Sequence, residues 1–300
     1  MTIIPLRAAV ISRQKAWLLA TRPKTLTVAV VPVVLASCLA WHQAHMFDGI
    51  VFLCCLAVAL LLQIGTNLIN DSLDFKRGAD NENRLGPMRV TQSGLIPMRQ
   101  VWIGGMFCFA LAIVVGIPLI WKGGATIAIL LGLSVACGYL YTGGPKPLAY
   151  VGLGECFAFL FFGVISTMAV YYLQTGKVAL SACVAGIQIG ALETVLLAIN
   201  NLRDCEEDVK ANKRTLAVRF GTTFARWEIT VLLFLPFLLG AYWVLNEEIL
   251  AASLPWLTLP LAVWVAMQVW WKEPGRVYNK LLGLTALLHL MFGLLLALSL

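Results

Sequence analysis

Long apolar runs alternate with short polar breaks along nearly the whole chain. A helix that crosses a bilayer needs about 20 mostly apolar residues. Nine such windows can be laid down, near 25–41, 49–68, 101–121, 124–141, 150–173, 179–200, 228–245, 249–271 and 280–299. This spacing predicts an all-α, polytopic membrane protein, a bundle of nine transmembrane helices. Pro32, Pro236, Pro255 and Pro260 fall inside windows. Kinked helices are tolerated in membranes where neighbours cover the freed backbone groups. Gly186 and Gly190 are four apart and suit close helix contact. The polar breaks stay below about 35 residues, so residues 1–300 read as one transmembrane domain.

Composition agrees. The chain is 60% hydrophobic and 12% charged, where soluble domains carry about 25% charge, and its mean hydropathy is +0.85. Residues 1–25 hold Arg7, Arg13, Lys15, Arg22 and Lys24 without a compact apolar core or a small-residue cleavage site. The expectation is a retained first span, not a cleaved signal. None of the eight cysteines forms a C-x-x-C pair, and most sit in apolar runs. They read as packing residues, not as zinc ligands or a disulfide framework. His42 and His45 lack a third ligand and read as ordinary loop histidines.

Charge sets an orientation. With the N-terminus inside, 20 of the 22 basic residues fall on inner segments, and only Lys122 and Lys177 lie outside. The positive-inside rule then predicts N-in, C-out. The net charge of +7 becomes a one-sided basic face. That face suits anionic head groups or an anionic substrate; no nucleic-acid partner is expected.

Two windows end in an unexpected way. The second runs into Asn67, Asn70, Asp71 and Asp74, and the sixth into Asn200, Asn201, Asp204 and Asp208. Residues three and four apart share a helix face, so each set forms a polar stripe. Four crossings separate the two windows, so both stripes emerge on the same, inner side. Acids and amides can finish a helix simply as solvated interface residues. Two facts weigh against that here. Carboxylates at a helix C-terminus oppose the dipole, and they crowd like charge beside an anionic leaflet. A cation would relieve both. Magnesium takes oxygen ligands and bridges carboxylates to substrate phosphates. The stripes therefore read as a clamp for a diphosphate, with Asn67, Asn70, Asp71, Asp74, Asn200, Asp204 and Asp208 as candidate metal ligands. Lys76, Arg77, Arg84, Arg203, Lys213 and Arg214 are candidate contacts to the remaining phosphate oxygens. A small-solute carrier is the alternative of a different class, because repeated intramembrane polar stripes also mark carriers. No paired broken helices at mid-membrane support it.

NLINDSLD and NNLRDCEED, after the second and sixth spans, resemble the two Asp-rich motifs of the UbiA-type intramembrane prenyltransferases, which are nine-helix bundles with both motifs on the cytosolic side. RPKTL at 22–26, RLGPMRVTQSGLI at 84–96, YTGGPKPLAYVGLGE at 141–155 and NNLRDCEEDVKANKRTLAVRFG at 200–221 are similar to the branch that prenylates 1,4-dihydroxy-2-naphthoate in the menaquinone pathway. Cys205-Glu206-Glu207 departs from the pattern by adding acids between the motif aspartates. The resemblance implies a multi-pass enzyme of the cell inner membrane with a cytoplasm-facing site. It implies Mg2+, a polyprenyl diphosphate donor and loss of the acceptor's carboxylate as carbon dioxide. A relative with another aromatic acceptor is the nearest alternative. Departure of diphosphate needs positive charge where negative charge develops. The allylic cation needs a dry site with aromatic neighbours, for which Tyr139 and Tyr141 stand ready. Arg22, Lys24 or Lys146 would take the acceptor's carboxylate. Glu193 would hydrogen-bond the acceptor's hydroxyl, or else pack against Gln63 or Gln188; Glu155 has similar status.

Overall fold

A computed structural model describes residues 11–80 and 84–300. Arg7 lies outside the described residues. The described chain is helical throughout and has no strand. Eight helices are long and apolar enough to cross a membrane: α2 (Thr27–Ala44), α3 (Gly49–Lys76), α4 (Met98–Leu140), α5 (Gly154–Thr175), α6 (Leu180–Arg203), α8 (Leu216–Leu245), α9 (Ile249–Trp271) and α10 (Tyr278–Leu298). Two short helices accompany them, α1 (Arg13–Ala20) before the first and α7 (Cys205–Lys210) after α6.

The 43-residue α4 holds the third and fourth predicted windows in one element. It leaves helical geometry at Gly124, with φ 67° and ψ −157°, a region essentially restricted to glycine. A Cβ built at Gly116 would lie 2.5 Å from Leu131 Cδ2. Those residues would be about 22 Å apart along a straight helix. α4 therefore doubles back on itself. A second break of the same kind occurs at Gly221 in α8, with φ 86° and ψ 168°. It explains why α8 starts at Leu216, well before the apolar window at 228. A short segment on the polar side of the break joins the same element.

α6 is the axis of the bundle: 78% of its apolar window is buried, against 28% for α3, α4 and α5. Its small residues let α5 approach backbone to backbone. A Cβ at Gly186 would stand 2.8 Å from Val164 Cα, and one at Gly190 2.9 Å from the Phe159 carbonyl oxygen. α5 meets α6 through a π-helical stretch, Phe159–Ile165. Apolar side chains such as Leu53, Ile129, Val231 and Leu257 are exposed on the perimeter, where lipid is as good a solvent as protein. At the end opposite the stripes, Lys122 pairs with Asp48 at 2.7 Å and His42 with Glu248 at 2.6 Å. His45 ends α2 in the left-handed conformation. All eight cysteines are free.

Candidate active site

The 3-1-3 spacing of Asn67, Asn70, Asp71 and Asp74 turns all four to one side of α3. They reach a cavity of about 730 Å³ that Asn200, Asn201 and Asp204 enter from α6 and Asp208 from α7. The two stripes thus meet. Away from them the cavity is apolar, lined by residues such as Leu62, Leu119, Ile127, Phe161, Val170 and Leu173.

Each oxygen of the stripes has a defined setting. Asp71 accepts backbone N–H bonds on both carboxylate oxygens, from Val90 at 3.2 Å and Thr91 at 3.0 Å. The 84–96 segment is thereby pinned over the site. Asp74 accepts from the Tyr150 hydroxyl at 2.9 Å. Asn67 donates its amide N–H groups to the Thr21 carbonyl and Thr25 Oγ1, at 3.0 and 3.1 Å. A carbonyl can only accept, so the orientation of that amide is set and its oxygen is left to the cavity. Asn70 is placed differently from the expected ligand role. Its oxygen accepts from Arg22 and Arg89, both at 2.7 Å, and its nitrogen donates to Thr142 at 2.9 Å. Both lone pairs are in use, so Asn70 acts here as a hub tying three segments together.

On the second stripe, Asp204 is gripped in bidentate fashion by Arg203, at 2.8 and 2.6 Å. The same guanidinium donates to Asn200 and Asn279, both at 2.7 Å. Arg203 therefore braces the stripe and does not line the cavity. Asp208 meets Lys213 at 3.3 Å, and its Oδ2 is buried without a hydrogen-bond partner among the described residues.

The electrostatics join the stripes into one site. Burial pushes the Asp208 carboxyl up to about 6; Lys213 opposes the rise, while Asp204 and, from the other stripe, Asp74 add to it. Burial likewise lifts Asp80 to about 7, against Arg84 and with help from Asp74 and Asp71. Burial lowers Lys213, but Asp208, Asp74 and Asp204 outweigh it and hold its ammonium above the ordinary value. Arg22 shows the opposite balance: burial takes it below its usual value despite Asp71. It adopts a left-handed backbone conformation, φ 52°, uncommon for a residue with a side chain. A cation in the cavity would relieve the buried carboxyls of Asp208 and Asp80.

The donors suit Mg2+. Among the described residues no three His, Cys, Asp or Glu side chains stand close enough to cage an ion. Magnesium does not need such a cage, since it typically binds one or two carboxylates, several waters and substrate phosphates. The free Asn67 oxygen and the orphan oxygen of Asp208 offer that open set.

Most expected site residues reach the cavity. Arg22, Lys24, Arg84, Lys213, Tyr141 and Glu193 line it beside the stripes. Six do not. Lys76, two residues beyond Asp74, has turned to the other face of α3, and Arg77 follows the end of the helix; both are exposed. Arg77 instead donates to the Gly144 carbonyl and lies 5.1 Å over the Tyr150 ring. Lys146 and Arg214 are exposed in loops. Tyr139 packs beside Gly143, two residues from Tyr141 and so off the cavity face. Arg203 is the sixth, as described. Four residues that sequence reasoning passed over belong to the site. Asp80 and Arg89 meet at 3.2 Å, and Arg84 is in direct contact with Asp80. Tyr150 holds Asp74, and Asn279 joins Arg203 to the Leu85 carbonyl at 2.8 Å. Asp80 and Arg89 had been read only as motif and loop charge. Asn279, at the far end of the chain, carries no sequence signal.

Comparison with known proteins was consistent along the whole chain. A 1,4-dihydroxy-2-naphthoate octaprenyltransferase of Escherichia coli is 39% identical over 222 residues, 72% of each chain. One from Mycobacterium tuberculosis is 34% identical over 285 residues, 93% of this chain and 94% of that one. A UbiA homolog from Archaeoglobus fulgidus, solved bound to DMAPP and Mg2+, superposes with a TM-score of 0.65 at 16% identity, covering 95% of this chain and 99% of that one. The pattern of the UbiA prenyltransferase family matches residues 29–296. With two oxygen-rich helix ends converging on one amphiphilic cavity, and with these relatives, the chain belongs to the UbiA prenyltransferase family.

Proposed function

We propose that this protein transfers a polyprenyl group from polyprenyl diphosphate to 1,4-dihydroxy-2-naphthoate, with loss of carbon dioxide, as a step of menaquinone biosynthesis. The observation that carries this reading is the cavity itself. One end is ringed by carboxylates and amides of α3, α6 and α7 and by cations from the segments that connect the helices, and the rest is apolar. A diphosphate head fits the first part and an isoprenoid tail the second. The names of the relatives at 39% and 34% identity support the acceptor.

Mg2+, when bound, would supply the positive charge that the departing diphosphate needs. Asn67, Asp71, Asp74, Asp204 and Asp208 would hold it. Arg84 and Lys213 take phosphate oxygens, while Arg203, Asn200 and Asn70 position their neighbours. The allylic carbon–oxygen bond breaks with its electron pair going to diphosphate. A ring carbon of the acceptor supplies the pair for the new carbon–carbon bond. The carboxylate then leaves as carbon dioxide and returns its bonding pair to the ring. Tyr141 and the Phe157–Phe161 stack, at 5.8 Å, border the cavity where the cation forms. Its development in a dry aromatic pocket is favoured. Arg22 and Lys24 line the cavity, and the acceptor's carboxylate would sit beside them.

The reversal of α4 at Gly124 supports nine passes, with residues 1–300 as one domain. The charge asymmetry supports N-in, C-out, and a site facing the cytoplasm of an inner-membrane protein. The test is mass analysis of products from purified protein with Mg2+, the naphthoate and a series of prenyl diphosphates. Prenylated, decarboxylated product is expected. Asp71→Asn and Asp204→Asn should each lower turnover by about 100-fold or more. Full turnover in both variants would sink the clamp.

A further inference from the structure

The cavity holds a second polar level, set between the charged mouth and the apolar end. Gln63 lies four residues back from Asn67 on α3, about 6 Å deeper, and Glu193 seven back from Asn200 on α6, about 10 Å deeper. Both line the cavity, and they are 8% and 7% exposed. The Gln63 Oε1 atom is buried with no hydrogen-bond partner among the described residues.

The orientation of that amide follows from its neighbours. Thr25 spends its hydroxyl proton on the Arg22 carbonyl at 3.0 Å and accepts from the Asn67 amide at 3.1 Å. Gln63 can approach Thr25 Oγ1 only as a donor, as its Nε2 does at 3.4 Å. Its oxygen is therefore the unpaired end of an amide that lines the cavity. Glu193 has no hydrogen-bond partner among the described residues either. Packing against an amide does not account for it. Gln188 is fully engaged, donating to the Pro236 carbonyl at 2.8 Å and accepting from Trp243 at 2.9 Å, and the Gln63 amine is turned to Thr25. Polar acceptors left unpaired in such surroundings are costly unless a ligand fills them.

Resting on the prenyltransferase reading, we infer that Gln63 and Glu193 form the seat for the two ring hydroxyls of the aromatic acceptor, and so select a dihydroxyarene. Gln63 presents an oxygen acceptor and Glu193 a carboxyl group, so a ligand that brings hydroxyls satisfies both. An isoprenoid tail has none. An arene with hydroxyls on opposite edges brings two. Its carboxylate is left pointing to the cations of the mouth, and its ring lies across the path to the diphosphate. Gln63 and Glu193 are specificity-determining residues in this scheme, without a part in breaking the donor.

The experiment measures KM for acceptor and for prenyl diphosphate separately, with the dihydroxynaphthoate and its two mono-O-methyl ethers, in wild type, Gln63→Leu and Glu193→Gln. Wild type should prefer the diol over each ether by about 10–100-fold, the range for a buried group left unpaired. In Gln63→Leu the acceptor KM should rise by at least about tenfold, donor KM should stay within twofold, and discrimination against one ether should collapse. Glu193→Gln should do the same for the other ether. An unchanged acceptor KM in either variant, or equal rises in both KM values, would overturn the seat. Absence of transfer by wild type to any arene would instead refute the prenyltransferase reading.

Discussion

Tyr150 donates its hydroxyl to Asp74 at 2.9 Å while its ring lies under the Arg77 guanidinium. A hydrogen bond to a charged group is worth about 1.5–3 kcal/mol, and this one aims a carboxylate of the clamp. Tyr150→Phe should therefore lower turnover by about tenfold or more and raise the Mg2+ concentration needed for half activity. The bundle should stay folded, since only one oxygen is removed. A metal titration of initial rate reads this, and an unchanged half-saturation would remove Tyr150 from the site. Asp71 and Asp204 differ at the same scale. Asp71 satisfies two loop N–H groups, whereas Asp204 is the bidentate partner of a guanidinium whose side chain is 0% exposed. Replacing one oxygen of Asp204 by an amine faces that buried Arg203 with a repelling donor. Asp204→Asn should thus lower the thermal midpoint in detergent as well as turnover.

Among the elements, α4 depends on one residue for its shape. Gly124 holds a backbone conformation other residues avoid, yet a Cβ built there meets nothing within 4 Å. The cost of Gly124→Ala is then almost purely conformational, about 1–3 kcal/mol. It should appear as a lowered thermal midpoint with the catalytic constants of the surviving protein intact. A variant as stable as wild type would show that the reversal does not need glycine. α5 and α6 depend instead on absent side chains. Their backbones touch at Gly186 and Gly190, where an added Cβ would lie within 2.9 Å of backbone atoms. Neither backbone can yield locally, so this contact sets how far apart two walls of the cavity stand.

For the whole molecule, the proposed nine passes would put the termini on opposite sides of the membrane. A cysteine at Lys122 should react with an impermeant thiol reagent applied from outside, and one at Lys24 only after the membrane is opened, in a background freed of native cysteines. Labelling of both from one side would contradict the orientation. The same arrangement separates two kinds of polar cluster. The pairs at one end, Lys122–Asp48 and His42–Glu248, tie helix ends. The stripes at the other end surround a cavity.

Helix identity, the emergence of both stripes at one end of the bundle and the oxygen-rich chemistry were legible in the chain because each is periodic or additive. Apolar windows are 20 residues long wherever they occur, charge asymmetry is a sum, and a 3-1-3 spacing faces one way on any helix. Partnerships were not legible. Arg203 looked like a phosphate contact but braces Asp204, and Asn70 looked like a ligand but serves as a hub. Asn279 had no motif, and Gln188, a candidate partner of Glu193 by sequence, meets Pro236 and Trp243 instead. Which donor meets which acceptor depends on helices brought together from distant parts of the chain, so only the packed structure could decide it.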